Sequence, residues 1–400
     1  MAIRVCDTIM GGGKTSAAIN FINSDGERKI IFATPYLDQV DRILAACPSM
    51  NAPVADSNGV KMGDFFRLIR EGKSVATTHA LLSKLPQDIL RSVREHGYIL
   101  ILDEVLSVLD TPNTKSSGIG KAVDNGWLTV DDETGEISVT DCFPDHPMLA
   151  DMLHLVRDRK TFYAGGDVFF WSLDPAVFST FEEIIILTYM FNCQMQKTFF
   201  DMHGIRFTYI GVEERDGGYF FTEKPKPNKI PGLKDRVHVV DGKINTVGDR
   251  KTALSAGWFD RNGGTDKSSG MSVLRKNLHN FFRNITDAKS ADIMWSTFTS
   301  HRKNLAGKGY IGGFVPFNAR ATNDYRDRTA LAYCVNIFMN PFVKRYFTSK
   351  GVEVDEDGLA LSDMVQWIWR SAIRDGKEIQ VYVPSSRMRN LLIAWLNEVS

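Results

Sequence analysis

Three consecutive glycines stand directly before a lysine and a threonine in Thr8-Ile9-Met10-Gly11-Gly12-Gly13-Lys14-Thr15. Glycine lets successive backbone N–H groups turn inward onto anionic oxygens, and a helix starting at the lysine adds the positive end of its dipole. In such a phosphate loop the lysine reaches the β- and γ-phosphates and the threonine hydroxyl ligates Mg²⁺. Thr8, Gly11, Gly12, Gly13, Lys14, Thr15 and Ser16 are therefore the expected nucleotide-binding residues, with ATP and Mg²⁺ as the ligands. Thr8 stands where the strict pattern has glycine, a position that tolerates small residues. A second stretch, Leu102-Asp103-Glu104-Val105, closes the apolar run Tyr98–Leu102. A carboxylate at the end of a central strand lies beside a phosphate loop. There Asp103 holds the metal and Glu104 polarises the attacking water as general base. A glycine-rich turn and a helix N-cap are the bland alternatives, and strand–loop–helix context around both stretches weighs against them.

The elements that must position these residues can be read from periodicity. In the first half, Ile3–Cys6, Lys29–Ala33, Ser74–Thr77, Tyr98–Leu102 and Ile184–Leu187 read as buried strands. Ser16–Asn23, Asp38–Ala46, His79–Lys84 and Gln87–Glu95 read as helices between them. Continuous apolar strands separated by helices imply a parallel sheet covered on both faces. Polar, Gly/Asp-rich stretches at 111–141, Glu213–Lys234 and Asp260–Gly270 read as an insertion or loops. A boundary is placed near Gly204, and apolar runs at Ile293–Trp295, Tyr310–Val315 and Ile379–Val383 predict a second sheet.

At 400 residues the prior is two domains, and a composition 43% apolar and 24% charged supports a core in each. The 48 basic and 48 acidic residues cancel, which weighs mildly against a surface coated throughout for nucleic acid and leaves room for a local basic groove. The five cysteines form no CxxC pair, so neither a zinc knuckle nor a disulfide framework is expected. No run approaches the ~18–20 apolar residues of a membrane helix, and the N-terminus does not read as a signal peptide. A cytoplasmic protein without a membrane partner is the expectation, in the host cytoplasm if viral.

The ordered series of motifs resembles the superfamily-two helicases. Thr8–Thr15 looks like motif I and Leu102–Val105 like motif II. Ala33-Thr34-Pro35-Tyr36, with Gln39 and Arg42, is similar to motif Ia, and Ala76-Thr77-Thr78-His79 to the next motif that lies on the nucleic-acid backbone. Leu187-Thr188-Tyr189 is similar to motif III, which couples ATP state to strand contacts. Ser296-Thr297-Phe298 is similar to motif IV, Asn318–Asn323 to motif V, and Gln366–Arg374 to motif VI. The resemblance implies two RecA-like P-loop NTPase domains with central, mainly parallel sheets: residues 1–204, carrying an insertion at about 111–180, and residues 205–400. ATP would bind between them. It also implies nucleic-acid contacts by Thr34, Pro35, Arg42, Thr78, His79, Thr297, Arg320, Thr322 and Asn323. Lys14, Glu104, Gln366, Arg370 and Arg374 would form the catalytic set. Arg370 and Arg374 are expected one helical turn apart on a single helix, so that both face the triphosphate, where an arginine finger contributes ~10³ or more in rate. The spacing of four rather than three leaves open which of them is the finger. The run Ile101–Ser107 is similar to herpesvirus origin-binding and phage replication helicases. Only seven residues precede Thr8, too few for the upstream adenine-reading segment of DEAD-box proteins. Between motifs II and III lies an insertion that includes Tyr163-Ala164-Gly165-Gly166-Asp167.

The expected activity is ATP-driven movement on nucleic acid in phage DNA replication or recombination. Its partners would be single-stranded or branched DNA, with RNA as the alternative, and other replication proteins. The rivals are a packaging-type ATPase with a nuclease half and an ATP-switched scaffold without unwinding. Trp295, Phe317, Tyr325, Trp367 and Trp369 are candidates to stack on bases, with core packing the commoner role of such residues. Arg387–Arg389 is a candidate phosphate contact. Asp355-Glu356-Asp357-Gly358 reads as a turn rather than a calcium loop, and no histidines show metal spacing.

Overall fold

The computed structural model describes residues 2–110, 118–132, 135–146, 149, 152–153, 156, 160–163, 169–263, 269–318 and 324–400. Contacts divide the chain into two compact units. The first comprises Met1–Thr8, Gly13–Pro225 and Met339–Val354, and the second Ile9–Gly12, Lys226–Phe338 and Asp355–Ser400.

The first unit is built on a seven-stranded sheet. Five of its strands are β1 (Ala2–Asp7), β2 (Ile30–Thr34), β3 (Val75–Thr78), β4 (Ile99–Asp103) and the later strand Glu183–Thr188. These are the apolar runs of the sequence, and each is buried on both faces. Between β4 and Glu183–Thr188 lie β5 (Leu109–Asp110), β6 (Leu128–Val130), β7 (Ile137–Val139), β8 (Lys160–Tyr163) and β9 (Phe169–Ser172). Glu183–Thr188 is thus β10, followed by β11 (Thr208–Arg215) and β12 (Gly218–Thr222). The sheet order is β12-β11-β1-β10-β4-β2-β3. All neighbours are parallel except β11 and β12. Helices α1 (Lys14–Asn23), α2 (Leu37–Ala46), α3 (Met62–Arg70), α4 (His79–Leu82) and α5 (Gln87–Glu95) connect the early strands. The core on one face joins Ile22 of α1 and Val40 and Ile43 of α2 to Phe32, Ile101, Ile185 and Leu187.

Two stretches expected as loops are folded, and the unit boundary shifts. The stretch expected as a polar insertion or mobile loop carries α6 (Ile119–Asp124) and the β6–β7 hairpin, packed through Ile119, Ala122, Leu128 and Ile137. Glu213–Lys234 contains the turn and second arm of the β11–β12 hairpin, because Asp216 and Gly217 both take positive φ, 50° and 74°. Pairing of β11 with β1 keeps Thr208–Thr222 in the first sheet, so the first unit runs to Pro225 rather than to Gly204. The amphipathic α3, with Phe65, Leu68 and Ile69 buried, is a helix the periodicity did not suggest. In the inserted part β5, β9 and β8 form an antiparallel sheet. The helix Pro341–Ser349 belongs to this unit, with the Tyr346 ring 5.2 Å from Phe162 and 4.8 Å from Phe170. Ala164–Asp167 lie outside the described residues.

The second unit has four parallel strands, β13 (Val237–Val239), β14 (Ile293–Ser296), β15 (Ala330–Tyr333) and β16 (Ile379–Tyr382), in the order β13-β16-β15-β14. Helix α7 (Met195–Met202) belongs to the first unit, as does the helix Pro341–Ser349. Helices α8 (Ala256–Asn262), α9 (Gly270–Asn280), α10 (Glu356–Ile368) and α11 (Ser386–Val399) belong to the second. Tyr310–Val315, expected as a strand, is instead a 3₁₀ turn at Ile311–Gly313. There a Cβ on Gly313 would meet the Ile293 carbonyl at 2.5 Å. Asp260–Gly270, expected as a loop, begins with the last turn of α8. Among the described residues no helix is long and apolar enough to cross a membrane.

Candidate nucleotide-binding site

Gly13, the residue before α1, has φ 82°, a left-handed conformation that L side chains rarely adopt. This sharp turn starts α1 at Lys14 and leaves its first amides without partners in the helix. Ala17 N, at 2.8 Å, closes the first turn onto the Gly13 carbonyl. Thr8 N donates to the Thr188 carbonyl at 3.1 Å, which ties the start of the loop to the end of β10. The Lys14 ammonium donates to the Thr8 carbonyl. Thr15 and Ser16 occupy the first turn of α1, both half-buried. Ile9–Gly12 group with the second unit, where Ile9 N donates to Asn228 Oδ1 at 2.8 Å. A Cβ on Gly11 (φ 83°) would lie 3.7 Å from Trp369 Nε1.

Asp103 ends β4, and β10 is the strand between it and β1. The register sets Asp103 opposite Leu187 and Asp7 opposite Thr188. Burial first, and then the neighbouring Glu104 charge, push the Asp103 carboxyl up to about 7, against the pull of Lys14 and Arg42. Burial lowers Lys14, and Glu104, Cys6, Asp103 and Asp7 oppose that in descending order. One lysine therefore shares a confined space with three carboxylates.

Glu104 has φ 70°. A non-glycine residue in this region costs of order 1–3 kcal/mol and persists only where its surroundings enforce it. Here Glu104 N donates to the Leu187 carbonyl at 2.9 Å. Two residues on, Leu106 N donates to Oε1 of the fully buried Gln196 at 2.9 Å. The backbone bends at the residue proposed to be the base, and Gln196 pins the far side of the bend.

The donor set fits a hydrated Mg²⁺. Such an ion takes one or two carboxylates and completes its octahedron with phosphate oxygens, a hydroxyl and water. Asp103 and Thr15 supply that much. Among the described residues no group of three or more His, Cys, Asp or Glu is arranged to hold a metal unaided. Burial is the first cause of the raised Asp103 carboxyl, and a bound cation would offset the second, the adjacent Glu104 charge.

Asp7 is a site residue that sequence reasoning missed. Its carboxylate accepts from Met190 N at 2.8 Å and Phe191 N at 2.9 Å, fixing the turn that follows β10. Burial raises its carboxyl. A lone acid at the end of an apolar strand was the available signal. Gln196 gave none, since its partner lies 90 positions away.

Of the residues proposed for nucleic acid, Thr34 and Thr78 are register partners at the ends of β2 and β3, and Pro35 and His79 follow them directly. Thr34 and Thr297 are fully buried, which closes both hydroxyls to a ligand in this conformation. His79 Nε2 lies 3.2 Å from the Ala33 carbonyl, to which its N–H donates, so it braces β2. Pro35 and Thr78 are half-buried at strand ends, and Arg42 is exposed on α2, where its charge reaches Asp103. Arg320, Thr322 and Asn323 lie outside the described residues.

The expectation that Arg370 and Arg374 share one helix is corrected. Helix α10 stops at Ile368, and Arg374 lies in the 3₁₀ turn Ala372–Asp375. Arg370 is buried and donates through Nε to the Gln366 carbonyl at 3.3 Å, whereas Arg374 is exposed. Gln366 Nε2 donates to Ser362 Oγ at 3.2 Å within α10. Trp295 and Trp367 are core residues, with their indole N–H groups donating to the Tyr310 and Val315 carbonyls at 2.7 and 3.2 Å. Arg387 is not a phosphate contact either. It pairs with Asp357, donates to Asn336 Oδ1 at 2.9 Å and lies over the Phe338 ring. Asp355 caps α10 by accepting from Gly358 N at 2.8 Å.

Residues 231–396 match the family described as the YonV C-terminal Rossmann-like domain. Among solved structures, S. tokodaii Xpd4 aligns with a TM-score of 0.51 over 98% of this chain and 94% of that one, at 12% identity, a likeness of fold alone. An XPD helicase aligns at a TM-score of 0.44, 8% identity, over 99% and 95% of the two chains, too low to add weight. In sequence, the SPbeta prophage-derived protein YonV of Bacillus subtilis (strain 168) is 33% identical over 98% of both chains. Identity at that level, sustained across both units, makes this chain a member of the YonV family.

Proposed function

We propose that the chain is an ATP-hydrolysing motor of the helicase type, moving on nucleic acid. The observation that carries this reading is Lys14 at the left-handed start of α1, sharing its electrostatic surroundings with Asp103 and Glu104 at the end of β4. Glycine-loop amides and Lys14 bind the β- and γ-phosphates. Asp103 and Thr15 would hold Mg²⁺, which when bound would supply neutralisation of phosphate charge. Glu104 orients the attacking water and accepts its proton. Arg370 and Arg374 are assigned the stabilisation of charge on the γ-phosphoryl oxygens, with Arg374 the one exposed to a ligand. Likeness of fold to Xpd4 supports a helicase architecture. The work assigned to it is phage DNA replication or recombination, on single-stranded or branched DNA; the prophage-derived name of YonV supports the phage setting alone.

ATP turnover measured with and without single-stranded DNA, duplex DNA and RNA tests the reading. Turnover is expected to rise with single-stranded DNA. Glu104→Gln is expected to keep ATP binding and lose roughly 10²–10⁴ in rate. Turnover at background with every nucleic acid would favour the ATP-switched scaffold, and an unimpaired Glu104→Gln would remove Glu104 from the mechanism.

A further inference from the structure

We infer that Tyr219 is the residue on which the base of the bound nucleoside triphosphate stacks, an inference that rests on reading Thr8–Thr15 as a phosphate loop. The order of the sheet gives the site a polarity. Asp103 and Glu104 belong to β4, two strands from β1 on one side; Tyr219 belongs to β12, two strands from β1 on the other. A triphosphate on the α1 N-terminus must turn its γ end to the metal ligand and the base, Asp103 and Glu104. Its nucleoside end then leaves toward the β11–β12 edge.

At that edge the Tyr219 ring covers Gly13. A Cβ on Gly13 would come within 2.7 Å of ring atoms Cδ1, Cγ and Cε1. Tyr219 is half-buried. Its support is independent of any ligand. Asn20 Nδ2, on α1, donates to the Tyr219 carbonyl at 2.8 Å. Phe221, two residues along and so on the same face of β12, packs edge-on against Phe21 of α1 at 5.9 Å. Phe220 points to the other face, beneath the Arg215 guanidinium at 4.4 Å. The hairpin is thus fastened to the helix that opens the phosphate loop, and it presents one aromatic ring beside that helix's first residue. Ring stacking recognises any base by its π-face and favours the larger purines. The substrate class is therefore purine nucleoside triphosphates, selected by stacking and with little discrimination between ATP and GTP.

Calorimetric affinities of the full chain for ATP, GTP and inorganic tripolyphosphate test this. The unmodified protein should bind ATP and GTP comparably, and both more tightly than tripolyphosphate. Tyr219→Leu should weaken ATP and GTP by roughly ten- to hundredfold and leave tripolyphosphate unchanged, while Tyr219→Phe should behave as the unmodified protein. A Tyr219→Leu variant that loses ATP and tripolyphosphate equally, or loses neither, overturns the inference. An unmodified protein that binds none of the three overturns the phosphate-loop reading, and this inference with it.

Discussion

Glu104 carries the strain of the candidate site and is proposed to carry its chemistry, and the two can be separated by substitution. Its φ of 70° is costly for any residue with a Cβ and free of that cost for glycine. Glu104→Ala and Glu104→Gly both remove the carboxylate, so neither should hydrolyse ATP. They differ in backbone. Glu104→Gly is expected to be more stable than Glu104→Ala by about 1 kcal/mol in urea unfolding. Equal stabilities would mean that the surroundings do not hold this residue in the left-handed region. The neighbouring Asp103 was legible from its place at the end of an apolar run, and Lys14 from the glycines before it. Asp7 was not, because its importance lies in two amides on a turn 183 and 184 positions away. Tyr219 was hidden for the same reason: its neighbour Gly13 is remote in the chain.

At the scale of elements, Arg387 shows how a basic stretch can be structural. Its guanidinium joins the start of α11 to Asp357 in α10, to Asn336 and to the Ile337 carbonyl. Arg387→Ala strips buried acceptors of their donor and should cost about 2–3 kcal/mol in chemical denaturation. It should leave DNA affinity unchanged in a filter-binding or anisotropy assay. A large loss of affinity at full stability would restore the phosphate-contact reading. Strands with continuous apolar runs were legible to within a residue or two, since burial on both faces leaves an unbroken pattern. The β11–β12 hairpin was missed although Asp216-Gly217 is a strong turn signal, because the acidic stretch around it reads as solvated chain. The motif VI helix was overextended, since its sequence pattern runs through Trp369 and Arg370 without a glycine or proline to mark the stop at Ile368.

The whole molecule is threaded so that its two units share the chain in alternation. The backbone passes between them at Thr8/Ile9, Gly12/Gly13, Pro225/Lys226, Phe338/Met339 and Val354/Asp355. Residues Met339–Val354 carry Tyr346 onto Phe162 and Phe170, within the first unit. The matched stretch 231–396, produced alone, should therefore expose Tyr346 and its apolar neighbours and self-associate in size-exclusion chromatography. Replacing 339–354 by a short Gly/Ser linker should reduce that association. Monomeric behaviour of the unaltered fragment would mean that the helix Pro341–Ser349 needs no partner from the first unit. The same threading bears on how such a gene can change. A recombination breakpoint placed between codons 226 and 338 would bring in a foreign helix Pro341–Ser349 to meet a resident Phe162 and Phe170. Exchange of one unit alone would demand several breakpoints at once, so the two halves are bound to be inherited as a matched pair.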